Sequence, residues 1–137
     1  MSRIIEFQGK TIADGKWITG NIHFENNLIN QHELLYSNCV YIESKLNSDS
    51  TIKQLVIPET VGQFTNVIGS DNKKIYDHNI VSNGEHQGEV YWNYGYNGWM
   101  VSVMNDSYSF YDTKLNNTYK VVGHKYDSLV HSDFMKV

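Results

Sequence analysis

The chain has 137 residues and a formal net charge of −4, and its length suits one compact domain or one domain with a small extra lobe. Hydrophobic residues make up 40% and charged residues 19% of the sequence, which excludes a disordered acidic chain and a coiled coil. Basic and acidic residues are spread evenly, with five and seven in residues 1–60 and six and eight in residues 61–137. The sequence therefore has no basic stripe to neutralise a nucleic-acid backbone, and no apolar run approaches the roughly 18 residues of a membrane helix.

Short extended runs separated by Asn, Asp and Gly fill the sequence and predict an all-β protein. The first two runs, residues 4–7 and 17–24, flank Asp14-Gly15, which is a hairpin signal because glycine accepts the positive φ of such turns. Residues 34–43 form a third extended run. Residues 44–54 are polar and are predicted to be a loop.

Turn signals also divide the second half of the chain. Pro58, the only proline, is expected to end a strand at residues 55–57. Asn83-Gly84 predicts a further tight turn. Several short strands at close spacing, with three Asn/Asp-Gly turns, favour a small β-barrel over a sandwich.

The segment from Gly88 to Met104 carries the clearest alternating pattern. If Asn97-Gly98 forms a two-residue turn, Trp99 lies opposite Tyr96 and the two strands continue in that register. Because side chains alternate along a strand, the large apolar residues of this hairpin are predicted to share one inward face. They are Val90, Trp92, Tyr94, Tyr96, Trp99, Val101 and Val103.

The opposite face of the same hairpin carries Tyr91, Met100 and Met104, and these residues are the candidate interaction surface. If this face is not covered by water, we expect it to pack on the N-terminal lobe or on another subunit. The many aromatic residues also suggest nucleic-acid binding, since bases stack on exposed rings. Core packing accounts better for most of these rings, because the alternation turns them inward.

Residue patterns that carry catalytic chemistry are missing from the sequence. The six histidines are dispersed without HExxH or another metal-ligand spacing, and we interpret them as surface residues. Cys39, the single cysteine, is interpreted as a small buried hydrophobe; it cannot form an internal disulfide, which favours a reducing compartment. The sequence has neither a glycine-rich phosphate loop nor a GxSxG motif. We therefore predict no catalytic, cofactor-binding or metal-binding residues.

Three parts of the sequence resemble the YopX family of bacteriophage and prophage proteins. Residues 7–10 (FQGK) and 14–20 (DGKWITG) resemble the family's opening, in which a phenylalanine, a basic residue and a glycine precede a tryptophan-containing strand. Residues 57–65 (IPETVGQFT), 71–77 (DNKKIYD) and 80–81 (IV) form the most specific match, and residues 121–126 (VVGHKY) resemble the closing strand.

The chain departs from the family pattern at a few positions. Gln8 stands where arginine is frequent, and His124 replaces a common asparagine. His78-Asn79 stands where glycine-aspartate is usual, a pair that we interpret as turn-forming. Asn79 can still bond its side chain to the nearby backbone, whereas histidine tolerates a left-handed conformation less readily than glycine.

The resemblance implies a phage-derived, mostly-β protein of the bacterial host's cytoplasm, with an SH3-like barrel in its C-terminal part and no assigned biochemical role. We expect a small N-terminal β lobe at residues 1–54, including the polar loop 44–54, and an SH3-like β-barrel at residues 55–137. The expected function is non-enzymatic protein interaction, either with itself as a homo-oligomer or with a host or phage protein, without a cofactor or membrane contact. Single-stranded nucleic-acid or RNA binding is the alternative, and a cryptic hydrolase using His and Asp residues on loops ranks last.

Overall fold

The computed structural model describes residues 3–30, 35–104 and 110–128, and it confirms the all-β fold class. Within these residues the backbone forms β-strands and one short 3-10 helix, Pro58–Thr60. The strands are β1 (Phe7–Lys10), β2 (Trp17–Asn30), β3 (Leu35–Lys45), β4 (Thr51–Val56), β5 (Gly62–Ile68), β6 (Lys74–Tyr76), β7 (Asn79–Ser82), β8 (Gln87–Asn93), β9 (Gly98–Met104), β10 (Phe110–Lys114) and β11 (Lys120–His124). No helix in this described part of the chain has the length and hydrophobicity needed to cross a membrane.

The described residues fall into two compact units. The N-terminal unit contains residues 5–61, and the C-terminal unit contains residues 3–4 together with residues 62–128. The division therefore follows Val61, whereas the sequence predicts a boundary between residues 54 and 55. The two positions differ because β4 continues through Val56 and pairs with β3 along its whole length.

The N-terminal unit is built on four antiparallel strands in the order β4-β3-β2-β1. The predicted first hairpin is confirmed, since Phe7 pairs with Gly20 and Lys10 pairs with Trp17. Gly15 has a φ of 68° in the turn, where the Thr11 backbone N–H also donates to the Lys16 carbonyl at 2.9 Å. The buried core of this unit is Val40, Ile42 and Val56.

Residues 44–54 are predicted to be a loop, and this prediction is wrong for most of the segment. Ser44 pairs with Ile52, so β3 and β4 form a hairpin with a short connection. Asn47 closes that connection, because its Oδ1 atom accepts the backbone N–H groups of Asp49 and Ser50 at 2.9 and 3.0 Å. The polar composition reflects an exposed strand surface, which tolerates polar side chains as a loop does.

The C-terminal unit contains the hairpin β5-β6 and a five-stranded antiparallel sheet in the order β10-β9-β8-β7-β11. Among the described strands this sheet is open, with β10 at one edge and β11 at the other, and these strands do not close into a barrel. The SH3-like layout therefore stays a prediction. The buried core of the unit consists of Ile75, Val81, Val90, Val101, Val103, Leu115 and Tyr119.

The β8-β9 hairpin forms as predicted, but its register is different. Trp92 pairs with Trp99 and Val90 pairs with Val101, so the turn spans four residues rather than two. The inward direction of Val90, Val101 and Val103 is confirmed, because all three are buried. Tyr94 and Tyr96, predicted to be inward, lie in the turn and are 89% and 75% exposed.

A glycine-to-alanine pair on this hairpin tests the register. A Cβ atom added at Gly88 would lie 1.9 Å from the carbonyl oxygen of Ser102, so Gly88→Ala must displace a neighbouring strand. We expect a loss of about 1–3 kcal/mol in the free energy of unfolding, measured by urea denaturation. Gly98→Ala is the control, since the nearest atom to its added Cβ is 3.8 Å away. Equal losses in the two variants would contradict the register.

Candidate functional site

The candidate interaction surface is only partly available to a partner. Tyr91 is half-buried, and its hydroxyl accepts a hydrogen bond from the Asn93 side-chain amide at 3.1 Å. Burial raises the pKa of the Tyr91 phenol above its ordinary value of 10.0, and its hydrogen bond with Asp112 acts in the same direction. Met100 is 9% exposed, and the side chain of Met104 lies outside the described residues. Of the two residues of this surface whose side chains are described, Tyr91 is the more exposed.

While Phe110 and Tyr111 are exposed on β10, the two most exposed aromatic residues described in the C-terminal unit, Tyr94 and Tyr96, lie at the tip of the β8-β9 hairpin. Asn93 ends β8 there, because its side-chain Oδ1 accepts the backbone N–H groups of Gly95 and Tyr96 at 2.8 and 3.1 Å. Asn97 completes the turn with a φ of 53°, a left-handed conformation that asparagine tolerates well. This turn lifts Tyr94 and Tyr96 away from the strand surface and into solvent.

Beside this tip lies an open depression, which we call the aromatic cleft. Its volume is about 410 Å³. It is lined by Arg3, Gln63, Asp77, Trp92, Tyr94 and Trp99. The Trp92 and Trp99 rings meet edge to face with centroids 5.2 Å apart, and Trp99 also packs against the core of the unit. The cleft therefore combines rigid aromatic walls with an arginine, a carboxamide and a carboxylate.

Backbone pairing fixes the two polar residues at one side of the cleft. Gln63 lies near the start of β5, and Asp77 directly follows β6. The backbone N–H of Asp77 donates to the carbonyl of Gln63 at 3.0 Å, which holds the two residues side by side. The closeness of these strands also explains Gly62, because a Cβ atom added there would lie 2.4 Å from the Asp77 carbonyl oxygen.

Asp77 also belongs to a group of titratable residues that the sequence analysis did not bring together. His78 Nε2 lies 3.5 Å from Asp77 Oδ2, and His78 Nδ1 lies 3.6 Å from Glu89 Oε1. Lys125 Nζ lies 3.4 Å from the same oxygen of Glu89. The His78 ring contacts that of Tyr126 edge-on, with centroids 5.6 Å apart. These residues form a compact cluster of two carboxylates, an imidazole and an ammonium group.

The turn at residues 77–78 confirms the interpretation of the His78-Asn79 pair as turn-forming. His78 has a φ of 73°, the left-handed conformation that glycine adopts more readily than histidine. Asn79 makes the expected local bond, because its Oδ1 accepts the backbone N–H of Tyr76 at 2.7 Å. His78 is further held by its own N–H, which donates to the Val90 carbonyl at 3.1 Å. The His78 carbonyl also accepts the backbone N–H of Lys125 at 2.9 Å, so both backbone polar groups of His78 are held by hydrogen bonds.

The chemistry of this cluster is that of a charge network. The His78–carboxylate distances exceed the 2.6–3.2 Å range of a working general-base contact. The His78 side chain lies against two carboxylates and against the rings of His124 and Tyr126. The described residues also contain no group of three or more His, Cys, Asp or Glu side chains arranged to hold a metal ion.

The pH dependence of the free energy of unfolding tests the environment of the Asp77 carboxyl group. Burial raises the pKa of Asp77 above its ordinary value of 3.8, and attraction to His78 opposes the rise. A raised pKa in the folded state means that the folded chain binds the proton more tightly, so this contribution to stability is lost as the pH rises through that pKa. We therefore expect Asp77→Asn to gain stability relative to the natural chain as the pH rises from about 4 to about 7, measured by urea denaturation. A stability difference that is constant or falls over this range would contradict the assignment.

The other described histidines and the cysteine have mixed environments, and His32 and His131 lie outside the described residues. His23 is half-exposed and lies 3.3 Å from Glu43, and His86 Nδ1 lies 2.6 Å from the Tyr111 hydroxyl. The interpretation of the histidines as surface residues is wrong for His124, which is 8% exposed and accepts the Tyr126 backbone N–H at Nδ1. Cys39 is half-buried.

No protein-family model matches the chain, and no curated protein matches it. The candidate site is therefore assigned from its geometry. Strand alternation predicted Trp92 and Trp99 as inward core residues, whereas both are half-buried and line the cleft. Arg3, Gln63 and Asp77 carried no such signal, because they reach the cleft from separate turns and strands.

Proposed function

We propose that the chain is a non-enzymatic protein-interaction module and that the aromatic cleft is its binding surface. The observation that carries this proposal is the concentration of Trp92, Tyr94 and Trp99 around one open depression. Tryptophan, tyrosine and arginine dominate the energetics of protein interfaces, because they bury large rigid surfaces and also offer polar atoms. An aromatic wall supported by the core of its own unit loses little conformational freedom on binding.

The aromatic cleft is a better binding surface than the face that contains Tyr91 and Met100. Met100 is already buried within the chain, so it has little apolar area left to cover. Tyr94, by contrast, is 89% exposed beside two half-buried tryptophan rings. A partner that covers this tip would remove far more apolar surface from water than one that binds the opposite face.

Single-stranded nucleic-acid or RNA binding is the second candidate, and the exposed aromatic rings of the hairpin tip are the observation that favours it. The charges favour a protein partner. Asp77 lines the cleft, Glu89 lies near it through the His78 cluster, and the whole chain carries a net charge of −4. A hydrolase that uses His78 is the weakest proposal, since its carboxylate contacts are long.

Selection from a displayed library of random peptides tests the proposal. We expect peptides enriched on the natural chain to bind with at least about tenfold lower affinity to Tyr94→Ser, a change that leaves the core untouched. Mixed single-stranded oligonucleotides at low and high salt form the second arm. Peptide binding that Tyr94→Ser leaves intact would contradict the proposal, and oligonucleotide binding at low salt that is lost at high salt would favour the alternative.

The cellular setting belongs to the same proposal. We propose that the chain is a phage or prophage protein of the YopX family that acts in the cytoplasm of its bacterial host. The matching segments support this assignment: residues 7–10 and 14–20, residues 57–65, 71–77 and 80–81, and residues 121–126. An SH3-like arrangement of the C-terminal unit is proposed on the same basis. Its partner is then a host or phage protein, or a second copy of the chain.

A further inference from the structure

Resting on the proposed function, we propose that the aromatic cleft recognises an extended segment that carries an arginine. The chain's own segment of Arg3 and Ile4 acts as an internal ligand for the cleft. Although these two residues lie at the N-terminal end of the sequence, they belong to the C-terminal unit. Arg3 lines the cleft together with Asp77 and the tryptophan rings. A partner segment of the same chemistry is expected to take the place of this internal ligand.

The backbone of the internal segment is held by one side chain. Asn66 Oδ1 accepts the backbone N–H of Ile4 at 3.0 Å, and Asn66 Nδ2 donates to the carbonyl of Ile4 at 3.0 Å. An asparagine amide that satisfies both polar groups of one residue binds an extended backbone as a neighbouring strand would. This contact is independent of the side chain at position 4. Sequence selectivity must therefore come from the neighbouring position, which Arg3 occupies.

The conformation of Asn66 is specific for this role. Asn66 has a φ of 66°, and the pairing of β5 with β6 shifts register between Phe64 and Ile68. Glycine would adopt this left-handed conformation with the least strain, but asparagine also supplies an amide group. The bulge therefore places a peptide-binding side chain on the exposed surface of β5.

Arginine suits the remaining part of the cleft. A guanidinium group stacks on aromatic rings and forms hydrogen bonds to a carboxylate, and the cleft offers Trp92, Tyr94 and Asp77. The side chain of Asp77 is 24% exposed, so a carboxylate contact there is less screened than one on an open surface. Gln63 adds an amide that can accept from a bound peptide or donate to it.

The internal ligand is held weakly enough to exchange. The side chain of Ile4 remains 51% exposed, and Arg3 is exposed as well, so docking of this segment buries little apolar surface. Its occupancy of the cleft depends mainly on the two hydrogen bonds from the Asn66 side chain to the Ile4 backbone and on the high effective concentration of a tethered segment. A partner segment with additional contacts at Tyr94 or Tyr96 can displace it.

Calorimetric titration of the full chain with a synthetic peptide tests the inference. The probe is the hexapeptide Met-Ser-Arg-Ile-Ile-Glu, which has the sequence of residues 1–6. We expect Arg3→Ala protein to bind the probe about tenfold more tightly than the natural chain, because the competing internal segment is weakened. In that background, Asn66→Gly is expected to weaken probe binding about tenfold, since it removes the amide but keeps the left-handed backbone.

The matched control peptide carries glutamine in place of arginine. Binding of this control as tight as that of the probe, or equal probe affinities of Arg3→Ala and the natural chain, would overturn the inference. Failure of the probe alone leaves the proposed function standing if library-selected peptides still depend on Tyr94. Failure of both kinds of peptide would overturn the proposed function as well.

Discussion

Replacing Tyr119 with alanine is expected to lower the free energy of unfolding of the C-terminal unit by about 3–5 kcal/mol. Tyr119 is 1% exposed and is the largest fully buried side chain among the described residues. Its hydroxyl lies 2.7 Å from Thr113 Oγ1, and its backbone carbonyl accepts the N–H of Ser70 at 2.9 Å. The variant loses the ring from the core and leaves Thr113 without this hydrogen bond, so cavity and polar costs add.

Urea denaturation in a Trp17→Phe background isolates this effect, because the remaining tryptophans, Trp92 and Trp99, both belong to the C-terminal unit. Tyr96→Ala is the matched control. Tyr96 is 75% exposed in the hairpin turn, and its truncation is expected to change stability by less than about 0.5 kcal/mol. Similar losses of unfolding free energy in the two variants would contradict the burial of Tyr119 in the core of this unit.

Replacing Trp92 with alanine is expected to weaken binding of library-selected peptides by at least about 30-fold, the effect of a central interface residue. Trp92 forms a wall of the aromatic cleft and supports Trp99 through the edge-to-face contact at 5.2 Å. Its loss therefore removes one ring from the surface and frees the other to move. Trp92→Phe keeps an aromatic wall and is expected to retain most of the affinity.

Tyr91→Ala distinguishes the two faces of the same strand. Tyr91 belongs to the surface predicted with Met100 and Met104, and it points away from the side of β8 that carries Trp92. We expect this variant to change peptide affinity by less than about twofold. A large loss of peptide affinity in Tyr91→Ala, combined with little effect of Trp92→Ala, would instead support the surface predicted from the sequence. Near-ultraviolet circular dichroism of both variants checks that each remains folded.

Strand alternation predicted the core side of the β8-β9 hairpin correctly for Val90 and Val101. Trp99 pairs with Trp92 instead of Tyr96, and this shift of four residues is even, so it leaves the side chains on the same faces. Strand alternation failed at Tyr94 and Tyr96, where a local interaction overrides the pattern. The Asn93 side chain captures two backbone N–H groups and ends the strand before the Asn97-Gly98 pair can form a two-residue turn. The alternating pattern alone did not show that the Asn93 side chain, and not the Asn97-Gly98 pair, would determine where the strand ends.

The candidate site was less predictable than the fold. Trp92 and Trp99 stood out in the sequence, but their role as walls of a cleft depends on Arg3, Gln63 and Asp77, which are distant from them along the chain. Their approach is set by strand pairing, such as the bond between the Asp77 N–H and the Gln63 carbonyl. The prediction of a loop at residues 44–54 was wrong because exposed strands and loops have similar polar compositions, so composition alone does not distinguish them.

Nitrogen-15 NMR of the three tryptophan indole N–H groups during titration with library-selected peptides tests the assignment of the aromatic cleft most directly. Trp92 and Trp99 line the cleft, whereas Trp17 lies in the N-terminal unit and serves as an internal reference. Binding at the cleft predicts saturable shifts of the Trp92 and Trp99 signals with the Trp17 signal unchanged. Saturable binding that leaves the Trp92 and Trp99 signals in place would contradict it.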